Sequence, residues 1–218
     1  MRRYAIKSVQ QLVPLTGKVA GTVWAQAAAA QINNFLWYQS GLKQGTTVRM
    51  LYDIGNLYVQ FRCQDRHSFA VTTDLNGPVW QDSCVELFVA PDPRRSDYVN
   101  TEINCCGILL MGFGPLSPPR PKITPALAER VAVVSSLPGP TKEESPCDRT
   151  WWIAARIPFD VLSELLGLAV SAKPGQRWRG NFYRLGGKTD SQFACWAPID
   201  ADTPDFHRPE FFGELRFL

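Results

Sequence analysis

Acidic and amide side chains share one face of two neighbouring strands that the sequence predicts. In residues 84–89, period-two alternation puts three aliphatic side chains on one face and Glu86 on the other. Residues 101–105 repeat this arrangement, with Glu102 and Asn104 together on one face. Burying a carboxylate without partners is costly, so we expect this face to be a concave, partly hydrated surface. Planar hydrogen-bonding groups of this kind suit a ligand that carries many hydroxyl groups.

Two tryptophans lie outside the alternating core patterns. Trp80 comes just before the strand that carries Glu86, and Trp196 lies in the loop CWAPID that follows Gly186-Gly187. Both indoles can therefore project from the predicted sheet. A sugar ring offers C–H patches to aromatic faces and hydroxyl groups to planar polar side chains, and small-ligand sites generally combine apolar walls with a few polar groups.

The composition disfavours several classes of protein. At 218 residues and 45% hydrophobic, the chain is long enough for a core, and we predict a single domain over residues 1–218. The net charge is only +3 and no basic run exceeds two residues, so we expect no nucleic-acid partner. The apolar runs are too short to cross a bilayer, so no membrane partner is expected. No signal peptide is visible, which predicts a cytoplasmic protein, or an extracytoplasmic one if a leader was removed.

Short strands separated by turns dominate the predicted secondary structure. The clearest unit is a hairpin of residues 47–53 and 57–63, because the glycine and asparagine at its tip tolerate the positive φ of a tight turn. One short helix is predicted between Pro158 and Gly167. About ten to twelve strands predict an all-β fold, an antiparallel β-sandwich of two packed sheets, jelly-roll or immunoglobulin-like. The proline-rich residues 115–122 are predicted to be a surface loop.

Several segments together resemble carbohydrate-binding module family 9 and its wider DOMON-like superfamily. The central segment is PVWQDSCVELFVAPD (78–92), followed by YVNTEIN (98–104). The other matching segments are LYDIGNLYVQFRCQD (51–65), WWIAARIPFDVL (151–162), NFYR (181–184) and FHRPEFFGELRF (206–217). They occur in the family's order and span roughly residues 20 to 218. The resemblance implies a non-catalytic protein that binds a mono- or oligosaccharide, or a polysaccharide chain end, and is associated with polysaccharide catabolism.

The resemblance also implies which residues form the site. Sugar-binding members sandwich the sugar between two tryptophans and hold its hydroxyls with planar polar side chains. Two of the matching positions depart from the family pattern: Glu102 stands where an arginine is typical, and Arg184 stands where a glutamine is common. The residues implied as ligand contacts are Trp80, Trp196, Glu86, Glu102, Asn104 and Arg184.

Three other functions are compatible with the sequence. The chain could be an interaction domain with a degenerate sugar site, in which Glu86 and Arg184 form a structural ion pair. It could be an O-glycosyl hydrolase or its associated domain, with Glu86, Glu102 and Asp82 as paired carboxylates. It could be a DOMON-like haem module, whose candidate axial ligands are Met50, Met111, His67 and His207.

No cofactor is predicted with certainty, but calcium is one candidate. Asp82, Asp92 and Asp97 could hold Ca²⁺, as sites in the resembled family do, although no spaced loop of oxygen ligands is present. His207 is expected to have a structural role, with its ring bonded to backbone or to a neighbouring acid.

Overall fold

The computed structural model describes residues 1–38, 41–115, 120–189 and 191–218, and this part of the chain is built almost entirely from strands. Residues 116–119, in the middle of the predicted proline-rich loop, lie outside the described residues. The described strands are β1 (Arg3–Ser8), β2 (Ala30–Ile32), β3 (Thr46–Tyr52), β4 (Asn56–Gln64), β5 (Cys84–Ala90), β6 (Tyr98–Asn104), β7 (Leu109–Gly114), β8 (Ala132–Ser135), β9 (Thr150–Pro158), β10 (Arg177–Leu185), β11 (Phe193–Cys195) and β12 (Gly213–Phe217). The prediction of an all-β fold is confirmed.

Two α-helices and three 3₁₀ turns accompany the described strands. The helix α2 (Phe159–Leu166) is the predicted one, and it ends at Gly167 in the left-handed conformation. The prediction of a single helix is wrong, because α1 (Pro125–Ala128) forms one turn capped by the Thr124 side chain. The 3₁₀ turns are Val23–Gln26, Val79–Gln81 and Pro209–Phe211. No helix in the described ranges is long and apolar enough to cross a membrane.

The strands form one continuous sheet, in the order β7-β6-β5-β10-β12-β1-β3-β4-β9-β8, with β11 beside β10 and β2 beside β3. The expected antiparallel pairing holds except at β1, where the prediction is wrong. Residues 3–6 of β1 pair in parallel with β12, and residues 7–8 pair in parallel with β3. Parallel strands need a long connection rather than a tight hairpin, and the chain between β1 and β12 supplies one. The strand β1 thereby joins two antiparallel sets into one sheet.

The hairpin of β3 and β4 lies where the sequence predicts it. Met50 is opposite Val59 in the ladder, and the tip is held by Asp53. The Asp53 carboxylate accepts hydrogen bonds from the backbone N–H groups of Gly55 (2.8 Å) and Asn56 (2.7 Å). Such a side chain replaces backbone partners within a tight turn.

Side chains from both antiparallel sets fill one core. Phe61 on β4 and Ile153 on β9 belong to the same buried cluster as Leu87 on β5 and Phe182 on β10. The opposite face of β5, β6 and β10 is covered by a second apolar cluster, here called the aromatic cluster after its buried rings. Those rings belong to Phe88, Tyr98, Tyr183, Phe206 and Phe212. Glu86 on β5 and Asn100 and Glu102 on β6 lie on this second face, at the edge of the aromatic cluster.

Candidate functional site

A pocket of about 500 Å³ opens on the second face of the sheet, beside the aromatic cluster. The strands β5, β6 and β7 form its floor, and the segment 204–207 forms one side. The floor residues are Glu86, Asn100, Glu102, Leu110 and Gly112. The surrounding residues are Trp80, Arg120, Lys122, Leu185, Pro204, Asp205, Phe206 and His207. Its size falls within the range of about 300–1,000 Å³ that is usual for small-molecule sites.

Two glutamates form the centre of the floor. Glu86 on β5 and Glu102 on β6 are register partners, so their side chains leave neighbouring strands side by side on the same face. The two residues are only 3% and 4% exposed. The Oε2 atom of each carboxyl group has no hydrogen-bond partner among the described residues. Buried polar atoms are normally paired, so two unpaired carboxyl oxygens in one pocket indicate a place for a ligand.

Burial and mutual repulsion change the acidity of this pair. The pKa of Glu86 lies well above its usual range, first because burial disfavours the charged form and second because Glu102 is close. Burial also raises the pKa of Glu102, to about 7, against the opposing effects of Asn100, Lys122 and Arg120. Both effects favour a proton on one of the two carboxyl groups.

Asn100 links Glu102 to an arginine. Its Nδ2 atom donates to Glu102 Oε1 at 2.8 Å, and its Oδ1 atom accepts from Arg120 Nη2 at 3.0 Å. The Arg120 guanidinium lies 4.0 Å from the centre of the Tyr98 ring and also donates to the Tyr98 carbonyl oxygen. Gly112 leaves room for this network, since a Cβ atom there would collide with the Asn100 amide. The network fixes one edge of the floor.

Trp80 forms an exposed apolar wall. It lies in the 3₁₀ turn Val79–Gln81, in which the Val79 side chain is fully buried and anchors the turn. Trp80 is 45% exposed, although large apolar side chains usually lie inside. Its ring is therefore available at the mouth of the pocket, as the sequence predicts.

His207 lies at the side of the pocket. Its Nδ1 atom is 2.7 Å from the Tyr98 hydroxyl, and its ring centre is 5.0 Å from that of Phe88. Burial lowers the pKa of His207, and the charge of Arg120 lowers it further, so the ring is neutral at neutral pH. The predicted partner, backbone or an acid, is wrong: the ring's partner is a tyrosine hydroxyl.

Trp196 is not part of this pocket, contrary to the prediction. It is 3% exposed, and its ring packs against Tyr4 and Phe182 with centroid distances of 6.4 and 5.2 Å. Its backbone N–H donates to the Phe182 carbonyl oxygen at 2.9 Å, because the chain continues alongside β10 after β11. Gly213 has no side chain to occupy the space that the indole fills. Trp196 is a core residue, so the two predicted tryptophans do not face each other.

Arg184 also lies on the wrong side of the sheet for the predicted contact. It is opposite Val85 in the β5–β10 ladder and therefore points into the core, while Glu86 points into the pocket. Its Nη2 atom pairs with Asp65 Oδ2 at 2.5 Å, and both side chains are 1% exposed. The same Asp65 oxygen accepts from Trp151 Nε1 at 2.8 Å. The suggested ion pair between Glu86 and Arg184 is therefore absent.

Asn104 is on the predicted face, but its side-chain amide is hydrogen-bonded to other residues of the protein. Its Nδ2 atom donates to Asp82 Oδ2 at 2.8 Å, and its Oδ1 atom accepts from the N–H groups of Cys106 and Ile108. Asn104 is fully buried and holds the turn between β6 and β7. Its predicted role as a ligand contact is not supported by this position.

The three aspartates suggested as calcium ligands are each bonded to other protein groups. Asp92 and Asp97 pair with Arg94 and Arg95, while Asp82 is bonded within the fold. Within the described ranges, no group of three or more His, Cys, Asp or Glu side chains is arranged to hold a metal ion. The proposed haem ligands Met50 and Met111 are fully buried in the main core.

Asn100 and Arg120 are among the pocket residues that the sequence does not predict, as are the charged residues Lys122 and Asp205. Asn100 has the same parity as Glu102 in β6, so alternation extended by one pair of residues would have found it. Arg120 lies within the proline-rich segment 115–122 and reaches the pocket only through the tertiary fold. No local pattern identifies it.

The comparisons with known proteins agree with the resemblance seen in the sequence. The family model described as carbohydrate-binding family 9 matches residues 21–217. Among solved structures, a candidate carbohydrate-binding protein from Bacteroides uniformis is 27% identical, with a TM-score of 0.85 and coverage of 100% of this chain and 99% of that chain. A comparison with the curated proteins found no match.

Two further structures belong to a family 9 module from Caldicellulosiruptor kristjanssonii. In complex with cellotriose, it is 15% identical with a TM-score of 0.64, covering 99% of this chain and 93% of that chain. In complex with glucose, it is 15% identical with a TM-score of 0.63, covering 100% and 96%. At this identity the likeness shows a shared fold.

Proposed function

The chain belongs to carbohydrate-binding family 9, and on that premise we propose that it binds carbohydrate, without hydrolysing it, in the pocket between Trp80 and Glu86. The observation that carries the proposal is the pair of buried carboxyl groups on the floor, each with one unpartnered oxygen. Sugar hydroxyls are donors, and hydrogen bonds to charged acceptors are about twice as strong as neutral ones. The floor thus offers the acceptors that a sugar would use.

A single indole supplies the stacking surface in this proposal. Trp80 would lie against the C–H face of a sugar ring, and Leu110, Leu185 and Phe206 would complete the apolar lining. By analogy with base stacking, one aromatic ring contributes on the order of 1–3 kcal/mol. Because Trp196 lies in the core, the proposal does not include a sandwich of two tryptophans.

The proposed ligand is a monosaccharide or the end of an oligosaccharide. A pocket of about 500 Å³ suits one or two sugar rings better than the middle of a long chain. The complexes of the Caldicellulosiruptor kristjanssonii module with cellotriose and glucose support this class of ligand. We place the protein in polysaccharide catabolism, as a binding partner of hydrolases, on the strength of family membership.

We also propose that residues 1–218 act as one domain. The support for this is β1, which pairs with both β12 and β3 and so ties the two ends of the chain into the same sheet.

A glycan array tests the proposed function. The chain and a Trp80→Ala variant should be applied to arrays of mono- and oligosaccharides, with Ile54→Ala as the control. Ile54 is fully exposed in the β3–β4 turn, so its loss removes an exposed apolar side chain that does not line the pocket. Binding that Trp80→Ala abolishes and Ile54→Ala preserves is expected. No binding by the parent chain, or binding that survives Trp80→Ala unchanged, would contradict the proposal.

A further inference from the structure

The two glutamates of the pocket have unequal surroundings. Glu102 accepts a hydrogen bond from Asn100, and the charges of Lys122 and Arg120 act on it. Glu86 has no hydrogen bond to any residue in the described ranges, and the effects on it are burial and the neighbouring Glu102. A buried carboxylate without a basic partner is among the rarest arrangements in proteins. Glu86 therefore has no positively charged hydrogen-bond partner among the described residues of the pocket.

The basic side chains of the pocket donate to groups other than Glu86, and Arg120 Nε has no partner in the described part of the chain. Arg120 donates to the Gly114 and Tyr98 carbonyl oxygens and to Asn100. Lys122 donates from Nζ to the Asn76 carbonyl oxygen at 2.9 Å. Neither is hydrogen-bonded to Glu86. A third acid, Asp205, lies at the side of the pocket.

We infer that the sugar bound here carries a protonated amine, and that its ammonium group lies between the carboxyl groups of Glu86 and Glu102. The inference rests on the proposed function and adds the class of ligand: an amino sugar in place of a neutral one. It is carried by the register pairing of the two glutamates and by their two unpartnered, buried Oε2 atoms.

An ammonium group matches this floor better than a hydroxyl group does. An ionised carboxylate only accepts hydrogen bonds, whereas an ammonium group has three donors and no acceptor. A hydroxyl group brings no charge, so one of the two carboxyl groups keeps its proton and is not a charged acceptor. An ammonium group between them supplies the missing charge and forms charge-assisted hydrogen bonds to both. The apolar wall of Trp80 remains free to stack on the sugar ring.

Three trisaccharides with the same β-1,4-linked gluco backbone separate the alternatives. They are the glucosamine trimer, with a free amine at C2, the N-acetylglucosamine trimer, whose nitrogen is uncharged, and cellotriose, with a hydroxyl at C2. Their dissociation constants should be measured by calorimetry near neutral pH for the parent chain. The same measurements are made on Glu86→Gln, on Glu102→Gln and on Glu129→Gln, an exposed matched control.

We expect the glucosamine trimer to bind the parent at least about tenfold more tightly than cellotriose. The N-acetylated trimer should show no such advantage, because its amide carries no charge. Glu86→Gln and Glu102→Gln should each reduce the preference for the glucosamine trimer over cellotriose to within about threefold, whatever affinity they cost for all three sugars. Glu129→Gln should keep the parent's preference.

Three results would overturn the inference. If cellotriose binds the parent as tightly as the glucosamine trimer, or more tightly, the ligand is a neutral sugar and the proposed function stands without the amine. If the amine preference exists but survives both glutamine variants, the ammonium group lies elsewhere. Failure of all three trisaccharides to bind also contradicts the inference, and the glycan array then decides the proposed function separately.

Discussion

Glu86 and Glu102 face the same pocket from opposite positions in the β5–β6 ladder, and neither Oε2 atom meets a donor in the part of the chain that the structure describes. Two neighbouring carboxyl groups cannot both ionise without repulsion, and burial adds to the cost of each charge. The folded protein therefore retains a proton that exposed glutamates would release.

The stability of the fold should consequently depend on pH above the usual glutamate range. The pKa of Glu102 rises from 4.5 to about 7 on folding, so between these values the native state binds a proton that the unfolded chain has lost. Stability should fall as the pH rises through this window, and the penalty is complete above about pH 7. The rise in pKa corresponds to about 3 kcal/mol at most.

Urea denaturation of the parent and of Glu102→Gln at several pH values checks this prediction. The variant should be more stable than the parent at pH 7 and should show a smaller slope between about pH 5 and pH 7, because only Glu86 then keeps a raised pKa. Identical slopes for the two proteins would show that Glu102 ionises as an exposed glutamate does.

Replacement of Trp80 by alanine should weaken sugar binding and leave the fold intact. Loss of one stacking ring costs on the order of 1–3 kcal/mol, which is roughly a tenfold to a hundredfold loss of affinity. The melting temperature should change little, because nearly half of the side chain is already exposed, at 45%. Calorimetry with the best ligand from the array, alongside thermal melting, gives both quantities. A marked drop in melting temperature would assign the indole to the core.

Replacement of Trp196 by alanine should have the opposite result. Its indole fills space between Tyr4, Phe182 and Gly213, and removal of a buried tryptophan typically costs about 3–5 kcal/mol. Under conditions in which the variant remains folded, its sugar affinity should stay close to that of the parent. Chemical denaturation and calorimetry check the two parts. If Trp196→Ala is as stable as the parent but no longer binds sugar, Trp196 is a ligand contact and the prediction is wrong.

Replacement of Asp65 by alanine should destabilise the protein strongly. The change removes the partner of Arg184 and of the Trp151 indole N–H, and it leaves a guanidinium group buried without an opposite charge. Breaking a buried ion pair in this way typically costs about 3–5 kcal/mol. Asp92→Ala breaks an exposed pair with Arg94 and should leave the melting temperature almost unchanged. Equal effects of the two variants on thermal melting would contradict the prediction.

The sequence predicts those parts of the site that depend on local periodicity. Alternation along β5 and β6 put Glu86 and Glu102 on one face, since the period of two is a property of the strand itself. The position of Arg184 depends also on the register of β10 against β5, which places it opposite Val85. The sequence near Arg184 does not reveal this register, because it is set by pairing between distant segments. Whether either glutamate contacts a sugar stays a prediction.

The remaining errors arise from long-range contacts. Trp196 follows β11, which has only three residues, and such a short strand does not stand out from a loop. Its burial depends on Tyr4 and Gly213, which come from opposite ends of the chain. Arg120 also lies in the pocket because of long-range contacts, which are its hydrogen bonds to Tyr98 and Asn100 on β6. The residues next to Arg120 in the sequence do not indicate these contacts.

The parallel pairing of β1 has a consequence for how the protein folds. Arg3 is opposite Glu214, so the sheet closes only when residues from nearly opposite ends of the sequence meet. Contacts of such wide separation slow folding, because the entropy of loop closure precedes any gain from the contact. Until β12 pairs with β1, that edge of β1 has unpaired backbone groups that can pair with another chain, so the protein is open to aggregation while β12 is unfolded.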